Sequence, residues 1–240
     1  MKKESTKKIA VVTIFAIAMA FLEAVVVIYL RKIYYPNGFD FPLVGFIEPF
    51  ILNMEWAREA FTIIMLASIG WLAGKKFSEK FAYFLYSFAI WDIFYYIWLK
   101  IALDWPASLT TWDLLFLIPL PWAGPVLAPV INSITMIALA FIIIYLQDKR
   151  KEVKIILKEW ILLFTGGLAI LYTYLYDYGQ LIINSGFLKD FFELTAKPEF
   201  HQIVSNYVPS GYNWILFCIG EVLILIAIVM IYIRTKHHSS

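Results

Sequence analysis

Residues 9–30 have the sequence IAVVTIFAIAMAFLEAVVVIYL, an apolar run that contains one charged side chain, Glu23. A helix of about 20 apolar residues matches the hydrocarbon thickness of a bilayer, so this run predicts a transmembrane helix. It is longer than the apolar core of a signal peptide, and Arg31 and Lys32 follow it instead of a small-residue cleavage site. We therefore interpret it as a retained first span.

Five further segments have similar length and apolar character, which predicts spans at residues 9–30, 54–73, 81–103, 125–146, 160–183 and 213–233. The composition is 62% hydrophobic and 16% charged, with a mean hydropathy of +0.75, and it excludes a soluble domain. The sequence thus predicts an all-α integral membrane protein, a bundle of about six transmembrane helices. The whole chain, 1–240, is predicted to be a single polytopic membrane domain.

Basic residues are distributed unequally between the two sides of this bundle. The side of the termini holds fourteen of them: Lys2, Lys3, Lys7, Lys8, Lys75, Lys76, Lys80, Lys149, Arg150, Lys151, Lys154, Lys158, Arg234 and Lys236. The other side holds four: Arg31, Lys32, Lys189 and Lys197. The positive-inside rule therefore predicts a multi-pass protein of the cell membrane, inner or plasma, with both termini in the cytoplasm.

The connections on the extracytoplasmic side are long and partly apolar. They contain FDFPLVGFIEPF at 39–50, WDLLFLIPLPW at 112–122 and FLKDFF at 187–192. These stretches are too short to span, so we expect re-entrant or interfacial segments there. Four prolines in IPLPWAGPVLAP, residues 118–129, predict extended or broken backbone, which at membrane depth often lines a binding site. The alternative is a loop across the outer surface, with Pro125 at a helix start.

Carboxylates lie inside the predicted spans. An ionised side chain at the bilayer centre costs about 2.5–3.5 kcal/mol, so Glu23, Asp92 and Glu221 should face a shared interior. Glu55, Arg58 and Glu59 occupy adjoining helix positions, with Asn53 as a potential N-cap; a local ion pair at a capped helix start is the alternative to a functional role.

Other polar residues have simple structural explanations. Asp92, Tyr96 and Lys100 recur every four residues on one helix face, and Lys100 is expected to snorkel to the outer interface. Asp177 and Glu221 could each form hydrogen bonds between helices. The candidate ligand-binding or proton and cation site comprises Glu23, Glu55, Arg58, Glu59, Asp92, Tyr96, Asp113, Trp122, Asp177 and Glu221.

Acids outnumber bases in this set, so the site should attract a cation, a proton or an amine rather than phosphate. Four aromatic side chains near the acids, Trp91, Tyr95, Trp98 and Trp122, could hold an organic cation or a flat isoprenoid or quinone-like ligand. Nothing in the sequence supports nucleic-acid binding. The single cysteine, Cys218, and the lack of histidine within a span offer no support for a thiolate metal site, haem or a histidine-activated nucleophile. The sequence specifies neither a metal, a cofactor nor a catalytic residue.

Three functional hypotheses remain open. The first is binding or transport of a cation or amphipathic small molecule in an outward-facing, acidic and aromatic cavity. The second is a membrane-embedded enzyme that acts on a lipid or isoprenoid, with Glu23, Asp92 and Glu221 as the first acid and base candidates. The third is a structural subunit of a membrane complex or homo-oligomer. Partners beyond the lipid bilayer would be a cation or a lipid-like ligand in the first case and a protein in the third.

Overall fold

The computed structural model describes residues 1–44, 46–149 and 153–237, and this part of the chain is mainly helical. The helices are α1 Lys3–Tyr34, α2 Pro49–Ala73, α3 Phe77–Leu103, α4 Leu127–Asp148, α5 Leu157–Asn184, α6 Pro198–Val204 and α7 Trp214–His237. A 3-10 helical segment, Phe187–Ala196, connects α5 to α6. Each predicted span falls on one long helix. Arg150 and Lys151, counted above among the basic residues, lie outside the described residues, as does Gly45 of the apolar stretch 39–50.

Five helices, α1, α3, α4, α5 and α7, are long and apolar enough to cross a membrane. Large apolar side chains are exposed along them, among them Ile14, Leu168 and Ile215. Exposed apolar faces of this extent fit contact with lipid. The chain is therefore a multi-pass membrane protein. Among the described helices, α2 also has the length of a span, but it carries Glu55, Arg58 and Glu59 near its start and is not one of the five.

Local sequence sets where the helices begin and end. The first residue of α2 is Pro49, a position that suits proline because no helical N–H is lost there. Asn53 lies one turn inside α2, so its prediction as N-cap is wrong. Asp104 ends α3 in the left-handed conformation, φ 52°, which aspartate tolerates better than most residues. Lys100 Nζ reaches the exposed Asp104 Oδ1 at 2.7 Å, as expected for a snorkelling lysine.

The proline-rich segment forms an antiparallel hairpin of two short strands, β1 Trp112–Phe116 and β2 Trp122–Pro125. Asp113 lies opposite Gly124, and the register shifts between Leu114 and Phe116. The prediction of extended or broken backbone is confirmed here. Pro125 ends the second strand instead of beginning a helix, and α4 starts two residues later than predicted.

The helices pack around α3, which contacts α1, α2 and α4. Helices α5 and α7 form a closely packed pair that α4 joins to the rest. The Lys2 backbone N–H donates to Asp148 at the end of α4, and Arg234 near the end of α7 pairs with Glu159 at the start of α5. Both termini therefore lie at the same end of the bundle. The long connections, including the hairpin, lie at the opposite end.

Helices α5 and α7 approach so closely that their contact requires glycine. A Cβ added at Gly166 would lie 2.6 Å from the carbonyl oxygen of Gly220, whereas one added at the adjacent Gly167 would meet nothing within 4 Å. Gly166→Ala should therefore lower the free energy of unfolding by about 1–3 kcal/mol. Gly167→Ala, the matched control, should be neutral or stabilising because alanine favours the helix. Thermal unfolding in detergent measures both, and equal effects would contradict the close contact.

Candidate functional site

A cavity of about 410 Å³ lies at the end of the bundle opposite to the termini. The last turns of α1, the first turns of α2 and the second half of α3 form its walls, and β1 with the following turn closes one side. Its roof comes from the 35–47 connection, the 3-10 segment and α6. Seven of the ten candidate residues line it: Glu23, Glu55, Arg58, Glu59, Asp92, Tyr96 and Asp113.

Arg58 joins two walls of the cavity. Its Nη2 lies 2.6 Å from Glu55 Oε2 one turn earlier, so the predicted local pair is present. The same guanidinium also forms an ion pair with Glu23 of α1, and Thr62 Oγ1 donates to Glu23 at 3.0 Å. The Glu23–Arg58–Glu55 cluster therefore bridges α1 and α2. The alternative of a local ion pair between Glu55 and Arg58 did not include this contact with α1.

A second ion pair, Arg31 with Asp113, connects α1 to the hairpin. Arg31 Nη2 lies 2.8 Å from Asp113 Oδ1, and Asp113 is fully buried. The guanidinium also lies 3.7 Å from the ring centre of Trp105 and 4.4 Å from that of Phe39, within cation–π range. Burial raises the pKa of the Asp113 carboxyl, and the positive charge of Arg31 opposes that rise.

Two more carboxylates face the cavity, and neutral groups hold them. Glu59 accepts the Leu117 backbone N–H with both oxygens, at 2.9 and 3.0 Å. Asp92 accepts the Ser133 hydroxyl of α4 at 2.8 Å. In the described part of the chain, the ion pairs of the two cavity arginines go to other acids, namely Glu23, Glu55 and Asp113. Glu59 and Asp92 are thus the carboxylates of this site that form no ion pair with either arginine, although the positive charge of Arg58 still acts on Glu59.

The remaining three candidates lie away from the cavity lining. Trp122 stacks on Tyr174 at 6.0 Å between ring centres, Asp177 accepts the Tyr207 hydroxyl at 3.0 Å, and Glu221 accepts the Thr135 hydroxyl at 2.7 Å. The Glu221 bond joins α7 to α4, as the alternative of hydrogen bonding between helices expects, whereas the partner of Asp177 lies in the connection between α6 and α7.

The expectation of one interior shared by Glu23, Asp92 and Glu221 is not met by the cavity, because Glu221 is not among its lining residues. The reason is tertiary: α7 packs on α5 and α4, away from the walls formed by α1 and α2.

Sequence reasoning missed Arg31, and it named Tyr95 only among the aromatic side chains that could hold a ligand. The predicted end of the first span at residue 30 assigned Arg31 to an outer connection. In the structure it lies in the last turn of α1 with 7% of its surface exposed. Tyr95 follows Asp92 by three residues, lines the cavity, and its hydroxyl lies in the electrostatic field of both arginines, Asp92 and Asp113. A cationic partner such as Arg31 could have been predicted, since a deeply placed Asp113 needs a positive charge beside it.

The arrangement is a cavity with a polar, net acidic floor and largely apolar, aromatic upper walls. Five carboxylates and two arginines line the cavity, so with every carboxylate ionised its side chains would carry a net negative charge. Within the described residues, no three side chains of histidine, cysteine, aspartate or glutamate are grouped closely enough to hold a metal ion. Comparisons with protein-family models, curated proteins and solved structures give no match.

Proposed function

We propose that the cavity binds an amphipathic small molecule whose head group is positively charged. The observation that carries this proposal is the position of Glu59 and Asp92, two carboxylates without an arginine partner in the described site, on the floor of a cavity with mainly apolar walls. A charged head buried against them would be paired and hydrogen-bonded, as burial of charge requires. The apolar walls would cover the rest of the ligand.

This proposal includes a topology of six spans with α2 among them and both termini in the cytoplasm. The 25 residues of α2 and its packing against α3 support a sixth span, and the excess of basic residues at the end with the termini supports the orientation. In this topology the cavity opens in the extracytoplasmic half of the bilayer, where the stretches 39–50, 112–122 and 187–192 lie at the interface.

The packing favours binding over a permanent channel. At the end with the termini, buried apolar side chains of α1, α3, α4 and α7 form a close-packed cluster that includes Val12, Tyr86 and Ile143. Transport across the membrane would therefore need a second conformation that opens this cluster. The enzyme hypothesis named Glu23, Asp92 and Glu221, but Glu221 does not line this cavity and Glu23 is paired with Arg58. In this cavity the same hypothesis would use Asp92 and Glu59 as acid and base.

Binding of dodecylamine to the purified protein in detergent tests this function directly. Isothermal titration should show saturable binding of dodecylamine and much weaker binding of dodecanol and laurate, which share its chain but lack the positive charge. Loss of one partner of a buried charge pair costs at least about 2 kcal/mol, so Asp92→Asn and Glu59→Gln should each weaken dodecylamine binding by roughly 30-fold or more.

Asp177→Asn provides the matched control for Asp92→Asn. Asp177 is also a carboxylate in the outer part of a helix, but its partners are Tyr207 and Ser210 and it does not line the cavity. Its replacement should leave the affinity for dodecylamine unchanged. Equal binding of dodecylamine and laurate, or unchanged affinity in both cavity variants, would refute the proposal.

A further inference from the structure

The space between α1 and α2 widens from the bundle interior toward the cavity. Near the middle of the two helices, Leu66 of α2 packs in one buried cluster with Ala16, Met19 and Ala20 of α1. One level further toward the cavity, Arg58 and Thr62 of α2 hold Glu23 of α1. Beyond this polar bridge, the facing side chains of both helices line the cavity instead of packing together.

Apart from Glu55 and Arg58, the side chains of α1 and α2 that line this part of the cavity are mainly apolar. Val27, Leu30 and Tyr34 contribute from α1, and Ile51 and Leu52 contribute from α2, all partly exposed. Trp56, which also lines the cavity, is 36% exposed. Helices α1 and α2 otherwise contact each other sparsely, which leaves room for a side opening of the cavity between them. In the proposed topology such an opening would face the hydrocarbon of the bilayer.

The roof of the cavity is a packed apolar layer. Leu43 of the 35–47 connection, Leu194 of the 3-10 segment, and Phe200 and Val204 of α6 belong to one buried cluster and line the cavity. Phe41 packs edge-to-face on Tyr207 and adds to this layer. A ligand that arrived from water would have to cross this layer, whereas one that arrived from the bilayer would pass mainly apolar side chains, with Glu55 and Arg58 beside its route, before it reached Glu59 and Asp92.

From this geometry we infer that the ligand is a membrane lipid with a cationic head, which enters sideways between α1 and α2. This inference rests on the proposed function and names its substrate class and route. The head lies on Glu59 and Asp92, and the chain remains in the gap beside Leu30 and Leu52. The polar bridge of Glu23 and Arg58 sets how deep the chain can pass, because below it the two helices pack directly.

Site-specific photo-crosslinking tests the lateral route. The photoreactive residue p-benzoylphenylalanine replaces Leu52 in the gap, or Ile64, which lies on the same helix and is 55% exposed. The full-length protein is placed in phosphatidylcholine bilayers that contain a minor fraction of stearylamine, and mass spectrometry identifies the adducts. The Leu52 position should capture stearylamine in large excess over its share of the bilayer, while the Ile64 position should reproduce the bulk composition.

Two further variants separate a fold defect from a failed inference. The same photoreactive residue at Leu30 approaches the gap from α1 and should give the same enrichment. Combining Leu52 labelling with Asp92→Asn should abolish the enrichment, because the head group loses its carboxylate.

If the adducts at both gap positions match the bulk bilayer while dodecylamine still binds in detergent, the lateral route is wrong and the cavity function stands. If dodecylamine does not bind either, the proposed function itself fails.

Discussion

Arg31→Met or Asp113→Asn is expected to lower the free energy of unfolding by about 3–5 kcal/mol, because either change leaves the other partner of a buried ion pair without its counter-charge. Asp113 is fully buried, and Arg31 lies under Phe39 and Trp105 with little exposed surface, so water can compensate for only a small part of the lost pairing. Equilibrium unfolding in mixed micelles with increasing denaturing detergent would measure the loss.

The double variant Arg31→Met/Asp113→Asn should lose less than the sum of the two single variants, because it leaves no unpaired charge. Lys32→Met is the matched control, since Lys32 is the exposed neighbour of Arg31 and its removal should change stability by no more than about 0.5 kcal/mol. An effect of Arg31→Met as small as that of Lys32→Met would contradict the pairing. The Arg31–Asp113 pair holds the hairpin against α1, so its loss should also disorder the cavity wall.

Glu159→Gln is expected to destabilise the opposite end of the bundle. Glu159 is fully buried and accepts two hydrogen bonds from Arg234, at 2.8 and 2.9 Å, as well as the backbone N–H of Ile156 at the start of α5. Because Arg234 keeps 24% of its side chain exposed, solvent compensates for part of the lost pairing, and we expect a loss of roughly 2–4 kcal/mol.

Glu4→Gln is the control for this second prediction. Glu4 also faces basic residues, Lys8 and Lys75, but its side chain is 65% exposed, so its change should be nearly neutral. Thermal unfolding of both variants compares them under the same conditions. A Glu159→Gln protein as stable as Glu4→Gln would show that the ion pair does not hold α5 to α7. Dodecylamine binding should persist in Glu159→Gln molecules that remain folded, since this pair lies far from the cavity.

Local sequence was enough to locate the six long helices of the described residues, because each contains a continuous apolar run bounded by polar or helix-breaking residues. It also indicated the local Glu55–Arg58 pair, since residues three apart on a helix are neighbours whatever the rest of the chain does. It also located Lys100 near a helix end, where its Nζ reaches Asp104. Each of these predictions needed only the geometry of one helix.

The register of the hairpin could not be predicted from local sequence, although its extended backbone could. Four prolines indicate non-helical backbone locally, but which residue faces which depends on the surrounding helices that support β1 and β2. Trp122 and Glu221 were likewise assigned to the site from depth and residue type alone, and neither lines the cavity. Depth along a span is a local property, whereas the direction in which a side chain points depends on which helices are neighbours.

Length and hydropathy are enough to identify a multi-pass helical membrane protein with carboxylates in one half of its predicted spans, because both are properties of each segment alone. Which carboxylates meet depends on how the helices pack. Packing brings Glu23 to Arg58 and Arg31 to Asp113 from distant parts of the chain, and it leaves Glu59 and Asp92 with neutral donors. Pairing between helices depends on the shape of the whole bundle, and it decides which carboxylates of this cavity form ion pairs and which do not.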